Sequence, residues 1–314
     1  MIERPATTTP LRRWCMRDYC SDMKSSTAPL RASKQPLLIA AALLLVTMMT
    51  PPAVHAHAEL ILQIEMMNKE IEKSPNDPDL YLRRGQLRRE HLEFDEAYAD
   101  FERAVKLSPD LRVIDLYRGR LFLDSSWPLS ARVVLDRFLA RNPKHMDALV
   151  LRAKALTQLN LRLAAVQDYT SAIASSPEPG PDLFIERAQL LEAEGPQHLD
   201  EALAGLDEGI EKIGPLVTLQ LFAINAEVKR KNYDGAVARL DKVAERSPRK
   251  ETWLARRAEV LTEAGRTAEA QQSYQAALQA LHGLPPARRN VPAMAELESR
   301  IRAALGQPPE TSKK

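Results

Sequence analysis

Residues 77–109 read DPDLYLRRGQLRREHLEFDEAYADFERAVKLSP, and this stretch decides the fold. Tyr81 and Gly85 lie one helical turn apart in its first half, while Ala97, Phe101 and Ala104 fall at i, i+4 and i+7 in its second. That spacing places each set on one face of a helix, with Leu92-Glu93-Phe94-Asp95 as the turn between the two. Gly85 and Ala97 have almost no side chain where the helices must cross, so the backbones can approach and Phe101 can fill what remains. Pro109 closes the second helix, because proline has no N–H and its ring clashes with the preceding turn. Working outward, Pro75, Pro109, Pro143 and Pro177 each stand 34 residues from the next. A period of that length marks stacked helical hairpins.

The set Tyr81/Gly85/Ala97/Phe101/Ala104/Pro109 resembles the tetratricopeptide repeat. The third unit matches with Leu149, Ala153, Leu156, Ala165, Tyr169, Ala172 and Pro177, and the sixth with Leu254, Ala258, Leu261, Ala270, Tyr274 and Ala277. Unit two keeps Gly119 and Ala131 but has Leu135 and Phe138 where an aromatic and an alanine are usual. Unit four keeps Phe184, Ala188, Leu191 and Ala202 around a turn lengthened by Pro196-Gln197-His198. Unit five keeps Ala236, Leu240 and Val243, yet Ile224 stands at a small-residue position, so wider separation of its helices is expected. The resemblance implies an all-α, right-handed solenoid of about six hairpins, near 77–109, 112–143, 146–177, 182–214, 216–248 and 251–282. Capping helices are expected over 59–74 and 290–305, so that the solenoid covers 59–305, with 306–314 as a polar tail. The terminal helix would turn Met294, Leu297, Ile301 and Leu305 inward, since an array needs a polar outer face at its ends.

The net charge of +2 conceals an uneven distribution. Residues 1–58 hold seven of the 44 Lys and Arg and three of the 42 acids, leaving the repeats at −2. A nucleic-acid partner is therefore not expected, since it would call for a basic excess. Both cysteines, Cys15 and Cys20, precede the repeats, which excludes disulfides and catalytic thiols from 59 onward. Pro36–Met49 is an apolar run preceded by Lys24, Arg31 and Lys34 and followed by Ala56-His57-Ala58. Together these features read as a secretory signal cut after Ala56 or Ala58. An uncleaved membrane anchor is the alternative, but the run is shorter than the ~20 apolar residues that span a bilayer. Met23 offers a more conventional start, which would make residues 1–22 a misassigned beginning.

Arginine recurs just before the small residue of the first helix, at Arg84, Arg118, Arg152, Arg187 and Arg257. Asp100 and Asp168 follow Arg84 and Arg152 by 16 residues, so register-setting pairs Arg84–Asp100 and Arg152–Asp168 are expected rather than a phosphate site. His91, His145, His198 and His282 sit at turns or helix ends of different units, and neither a metal site nor any cofactor is expected from them. One exception is His57, whose amine and imidazole would together chelate copper if cleavage falls after Ala56. Trp127 in the second turn fits packing over that turn, with a ligand contact as the alternative. No phosphate-binding, dinucleotide or serine-hydrolase motif is present, so no catalytic residue is expected.

What remains is the inner face, which the resemblance assigns to the first helices. It would carry Leu82, Gln86 and Arg89, then Leu116, Arg120 and Leu123, then Val150, Lys154 and Thr157. Units four to six would add Ile185, Gln189 and Glu192, then Leu221, Asn225 and Val228, then Ala255, Glu259 and Thr262. This implies a groove for an extended or helical protein segment. The alternative is a solvated face whose apolar residues pack sideways. The expected function is an exported, non-catalytic scaffold or assembly factor, in the periplasm by preference. A small-ligand or metal carrier and a membrane-tethered adaptor are the alternatives.

Overall fold

The computed structural model describes residues 52–308, with side chains from His57 on. The apolar run Pro36–Met49, its basic flank, both cysteines, Met23 and the end of the expected tail lie outside the described residues. From Ala56 onward the chain forms one compact unit. Among the described residues there are 15 α-helices, one 3-10 turn and no strand. None of these helices is long and apolar enough to cross a membrane.

Helix α1 (Pro52–Lys73) leads into six hairpins. They are α2/α3 (Pro78–Glu90, Phe94–Leu107), α4/α5 (Ile114–Asp124, Pro128–Arg141) and α6/α7 (Met146–Gln158, Arg162–Ser175). Then come α8/α9 (Pro181–Glu194, Leu199–Ile213), α10/α11 (Val217–Lys229, Tyr233–Arg246) and α12/α13 (Glu251–Glu263, Thr267–His282). A short α14 (Pro286–Arg289) and α15 (Pro292–Ala304) finish the array. The hairpins fall where the 34-residue period predicts them.

Two boundaries differ from expectation. Helix α1 starts at Pro52, not at 59, because proline suits a first helical turn and Ala53-Val54-His55-Ala56-His57-Ala58 contains nothing that stops a helix. The break after unit six contains α14, which the paired Pro285-Pro286 starts.

The helices cross closely because the crossing residues are small. A Cβ added at Gly85 would lie 2.6 Å from Phe101 Cε1, and one at Gly119 would lie 2.7 Å from Leu135 Cδ2. Ala97, Ala131, Ala165, Ala202 and Ala236 are fully buried opposite these positions, as are Ala104, Ala153, Ala172, Ala258 and Ala277, with Ala188 and Ala270 nearly so. Phe101, Leu135, Tyr169 and Leu240 fill the space between helices, and Tyr274 is partly buried at the same register. Burial pushes the Tyr169 hydroxyl well above the usual phenol range, with the charge of Glu186 adding to it. Pro109 and Pro177 sit exposed just past the helix ends they close. Ile224 is fully buried instead of small, and α10/α11 is the most loosely packed hairpin of the six.

The tips share one backbone device. Leu92, Ser126, Asn160, Lys231 and Gly265 have φ of 65°, 61°, 60°, 59° and 73°. The following N–H then reaches back five residues, as in Glu93 N to Arg88 O at 2.8 Å and Leu161 N to Leu156 O at 2.8 Å. This is Schellman closure, which favours glycine at the left-handed residue. Only the sixth hairpin has glycine at that register; the fourth instead turns at Gly195 and a 3-10 turn over Pro196–His198. Leu92 is 66% exposed, so its side chain does little to offset the strain. Leu92→Gly will raise stability by about 0.5–1 kcal/mol in chemical denaturation, whereas Glu90→Gly, within α2, will lower it by about 1 kcal/mol.

At the ends, Ile64 and Ile71 of α1 are buried against unit one, and Arg84 Nη1 donates to Asn68 Oδ1 at 2.8 Å. The other side of α1 is not polar, since Ile61, Leu62 and Met66 are exposed. Met294, Leu297 and Ile301 of α15 are buried, and Gly306 ends that helix with φ of 68°.

Candidate functional site

The recurring arginines set the register of the stack. Arg84 Nε and Nη2 donate to Asp100 at 2.9 and 2.5 Å, and Arg152 Nε and Nη2 donate to Asp168 at 2.7 Å each. Each also reaches 16 residues back, Arg84 to Asn68 and Arg152 to Asp136. Arg257 repeats the pattern with Asp241 behind and Ser273 ahead, and Arg118 holds Glu102 behind. One guanidinium thus ties the second helix of its own hairpin to that of the hairpin before. The hydrogen bond from Asp168 is the main reason that the Arg152 guanidinium pKa is raised, with burial opposing it.

The register shifts in unit four, where Arg187 donates to the Gly205 carbonyl at 3.2 Å and to Glu208 at 2.7 Å. Burial opposes ionisation of Glu208, yet hydrogen bonds from Lys212 and Arg187 hold its carboxyl below its ordinary value. Unit five reverses the charges. Arg88 donates to Asp100 twelve residues on, whereas Glu227 accepts from Arg239 across the same interval. Arg239 then makes a two-pronged bond to Asp207 at 2.7 Å. These groups serve packing and are not offered to a ligand.

On the inner face, two expected lining residues are corrected. Leu82 and Leu116 are buried in the packing between units, because a first helix has neighbours on both sides and a leucine at that angle meets them before solvent. Leu123 and Ala255 are buried as well, while Val150, Ile185 and Val228 are half-buried against the core. The charged members link successive first helices. Arg89 donates to Asp124 at 2.5 Å, Arg120 to Asp147 at 2.9 Å, Lys229 to Glu192 at 2.5 Å, and Arg256 to Asn225 at 3.1 Å and to Glu259 at 3.0 Å. Thr157 and Thr262 bond back to carbonyls of their own helices.

The surface this leaves open consists of Gln86, Lys154, Gln189 and Leu221, with a pocket near each end. The first, of about 320 Å³, is lined by Gln63, Met66, Met67, Arg83, Gln86, Leu87 and Glu90. The second, of about 360 Å³, lies between α10, α12 and α15 and includes Leu221, Trp253, Ala255, Glu259 and Leu297. Apolar floors with a few polar groups at the rim suit side chains of a bound segment.

Two features escape sequence reasoning. A cleft of about 930 Å³, larger than either inner pocket, is lined chiefly by α9, α10 and α11, with Ile210, Val217, Val243 and Trp253 as apolar wall and Lys242 and Arg246 at its edge. It arises where the hairpin containing Ile224 is loosest; that substitution was its only signal. Trp127 is 60% exposed and stacks on Phe122, with centroids 6.0 Å apart and planes 15° from parallel, while Tyr98 lies 5.9 Å from Phe122. It therefore packs over its turn with one face and presents the other.

Among the described residues no group of three or more His, Cys, Asp or Glu has the arrangement to hold a metal ion. The histidines are nevertheless less scattered than their spacing implies, since His57 meets His91 with ring centroids 5.1 Å apart. His145 instead caps α6, accepting from Ala148 N at 3.3 Å. His198 lies 3.5 Å from Glu201, and His282 lies 2.9 Å from Glu298.

The tetratricopeptide-repeat family model matches residues 116–179 and 223–285. Among solved structures, the C-terminal part of a TPR repeat-containing protein from Cytophaga hutchinsonii is similar with a TM-score of 0.51 and 17% identity, covering 81% of this chain and 93% of that one. A tetratricopeptide repeat protein from Parabacteroides merdae gives a TM-score of 0.47 at 18% identity, covering 78% and 93%. With its motifs and its stacked hairpins, this chain belongs to the tetratricopeptide-repeat family. The protein O-mannosyl-transferase Tmtc3 of Drosophila melanogaster is 26% identical over 164 residues. That alignment takes in 50% of this chain and 18% of that protein, so the chain spans under a fifth of the relative's length.

Proposed function

We propose that the protein is an exported, non-catalytic scaffold that grips a protein segment along its inner face. The observation that carries this reading is the open row Gln86, Lys154, Gln189 and Leu221, with an apolar-floored pocket near either end. An extended or helical segment would bind with side chains in the pockets and polar contacts between them. The non-catalytic part is supported by how completely hairpins and caps take up the described residues, which leaves no separate lobe. Export is supported by the basic, apolar and small-residue order ahead of α1, and the periplasm is the compartment this favours. The transferase name of the Drosophila relative is not carried over, because the alignment touches so little of that protein.

The test is partner capture with wild-type chain and with Lys154→Glu/Gln189→Lys. Both positions are exposed, and neither belongs to the links described above, so the variant should fold normally by circular dichroism. Recovery of the specific partner should fall about tenfold. Equal recovery of every captured protein by both chains removes the inner-face reading. A second reading, a metal carrier, is favoured by one observation, the contact between His57 and His91.

A further inference from the structure

We propose that the chain, once cut after Ala56, holds one copper(II) ion at the tip of its first hairpin, between the new N-terminus and His91. The proposal rests on the export reading, since it needs the amine that cleavage creates.

Three observations carry it. The first is distance. A first-row metal lies about 2.0 Å from an imidazole nitrogen and hence roughly 3.2 Å from the ring centre, so two imidazoles on one ion have centres about 4.5–6.4 Å apart, depending on the angle between them. The His57 and His91 centroids are 5.1 Å apart, with planes 73° apart. That lies within the window, so both rings can reach one ion without moving the helices that carry them.

The second is orientation. His91 Nδ1 lies 2.8 Å from Glu93 Oε1. A carboxylate accepting the N–H of one ring nitrogen fixes the tautomer that leaves the other nitrogen as a metal donor. Glu93 would therefore act through His91, as a positioning residue.

The third is the cleavage site. His57 is exposed in the first turns of α1. Cutting after Ala56 makes it the first residue, where its α-amine and imidazole close a six-membered chelate ring on one ion. With His91 the set is three nitrogens, and nitrogen donors favour copper(II) over the other divalent first-row metals. The amine must give up its proton to bind, so affinity will fall as the medium is acidified below the usual α-amine range of about 7.7–8.0.

The chain is recovered after export, its first residue is identified, and it is titrated with copper(II) sulfate against a competing chelator while nitrogen hyperfine coupling is read by paramagnetic resonance. The expected result is His57 as first residue, one copper per chain and three nitrogens. His91→Ala should reduce the nitrogens to two and weaken binding about 100-fold, and Glu93→Gln should weaken it about tenfold. Helicity of both variants is checked by circular dichroism. The proposal is overturned if the chain begins at Glu59, if His91→Ala changes neither affinity nor nitrogen count, or if the uncleaved chain binds copper as tightly. A retained leader means that export itself has failed; a chain that begins at His57 without binding copper defeats this site alone.

Discussion

Phe101→Ala will destabilise the N-terminal end of the array by about 3–5 kcal/mol. The phenyl ring is wholly buried and lies against the bare backbone of Gly85, so its removal opens a cavity where two helices touch. The helices cannot simply close on it, because Ala97 and Ala104 flank the same face with nothing longer than a methyl group. The effect should be local. Each hairpin leans only on its neighbours, and an array of that kind can fray from one end. Hydrogen exchange should therefore accelerate in α1–α4 well before α10–α13.

A companion variant isolates the cause. Gly85→Ala alone should lower stability, since its Cβ would lie 2.6 Å from Phe101 Cε1. In the Phe101→Ala background the same change should raise it, because the ring is gone and glycine's extra unfolded-chain freedom is removed. Sign reversal read by urea denaturation checks the packing argument; two losses of the same sign would contradict it.

Asp168→Ala will cost about 3 kcal/mol, far more than the loss of an exposed ion pair. Asp168 is only 5% exposed and accepts two hydrogen bonds from Arg152 at 2.7 Å. Without it the half-buried guanidinium keeps only Asp136, on the preceding hairpin. The junction of units two and three then loses half of the clamp that sets its register. Arg152→Ala in the same background should add much less than it does alone, as coupled groups do. Simple additivity in thermal or chemical unfolding would show that the clamp is not a unit.

Much of this fold is legible from residue spacing. Gly85, Ala97, Phe101 and Pro109 repeat at an interval that only stacked hairpins satisfy, and the pairs Arg84–Asp100 and Arg152–Asp168 follow from two antiparallel helices 16 residues out of step. The site is less legible. Leu82 and Leu116 share their register with exposed residues of other units, and what buries them is the neighbouring hairpin, which lies outside any single repeat's pattern. The meeting of His57 and His91 is hidden for a related reason. They are 34 residues apart in different helices, and only the stacking of α1 on unit one brings them together. The charge reversal at Glu227 and Arg239 escapes a search for Arg followed by Asp, although the interval is kept.

Hydrogen exchange followed residue by residue over 78–282 tests the central claim most directly, that this chain is one uninterrupted row of two-helix units. Slow exchange should recur in twelve helical blocks, parted by fast-exchanging tips near Leu92, Ser126, Asn160, Gly195, Lys231 and Gly265. A protected strand pairing, or a block as long as a whole unit with no protection under native conditions, would contradict it.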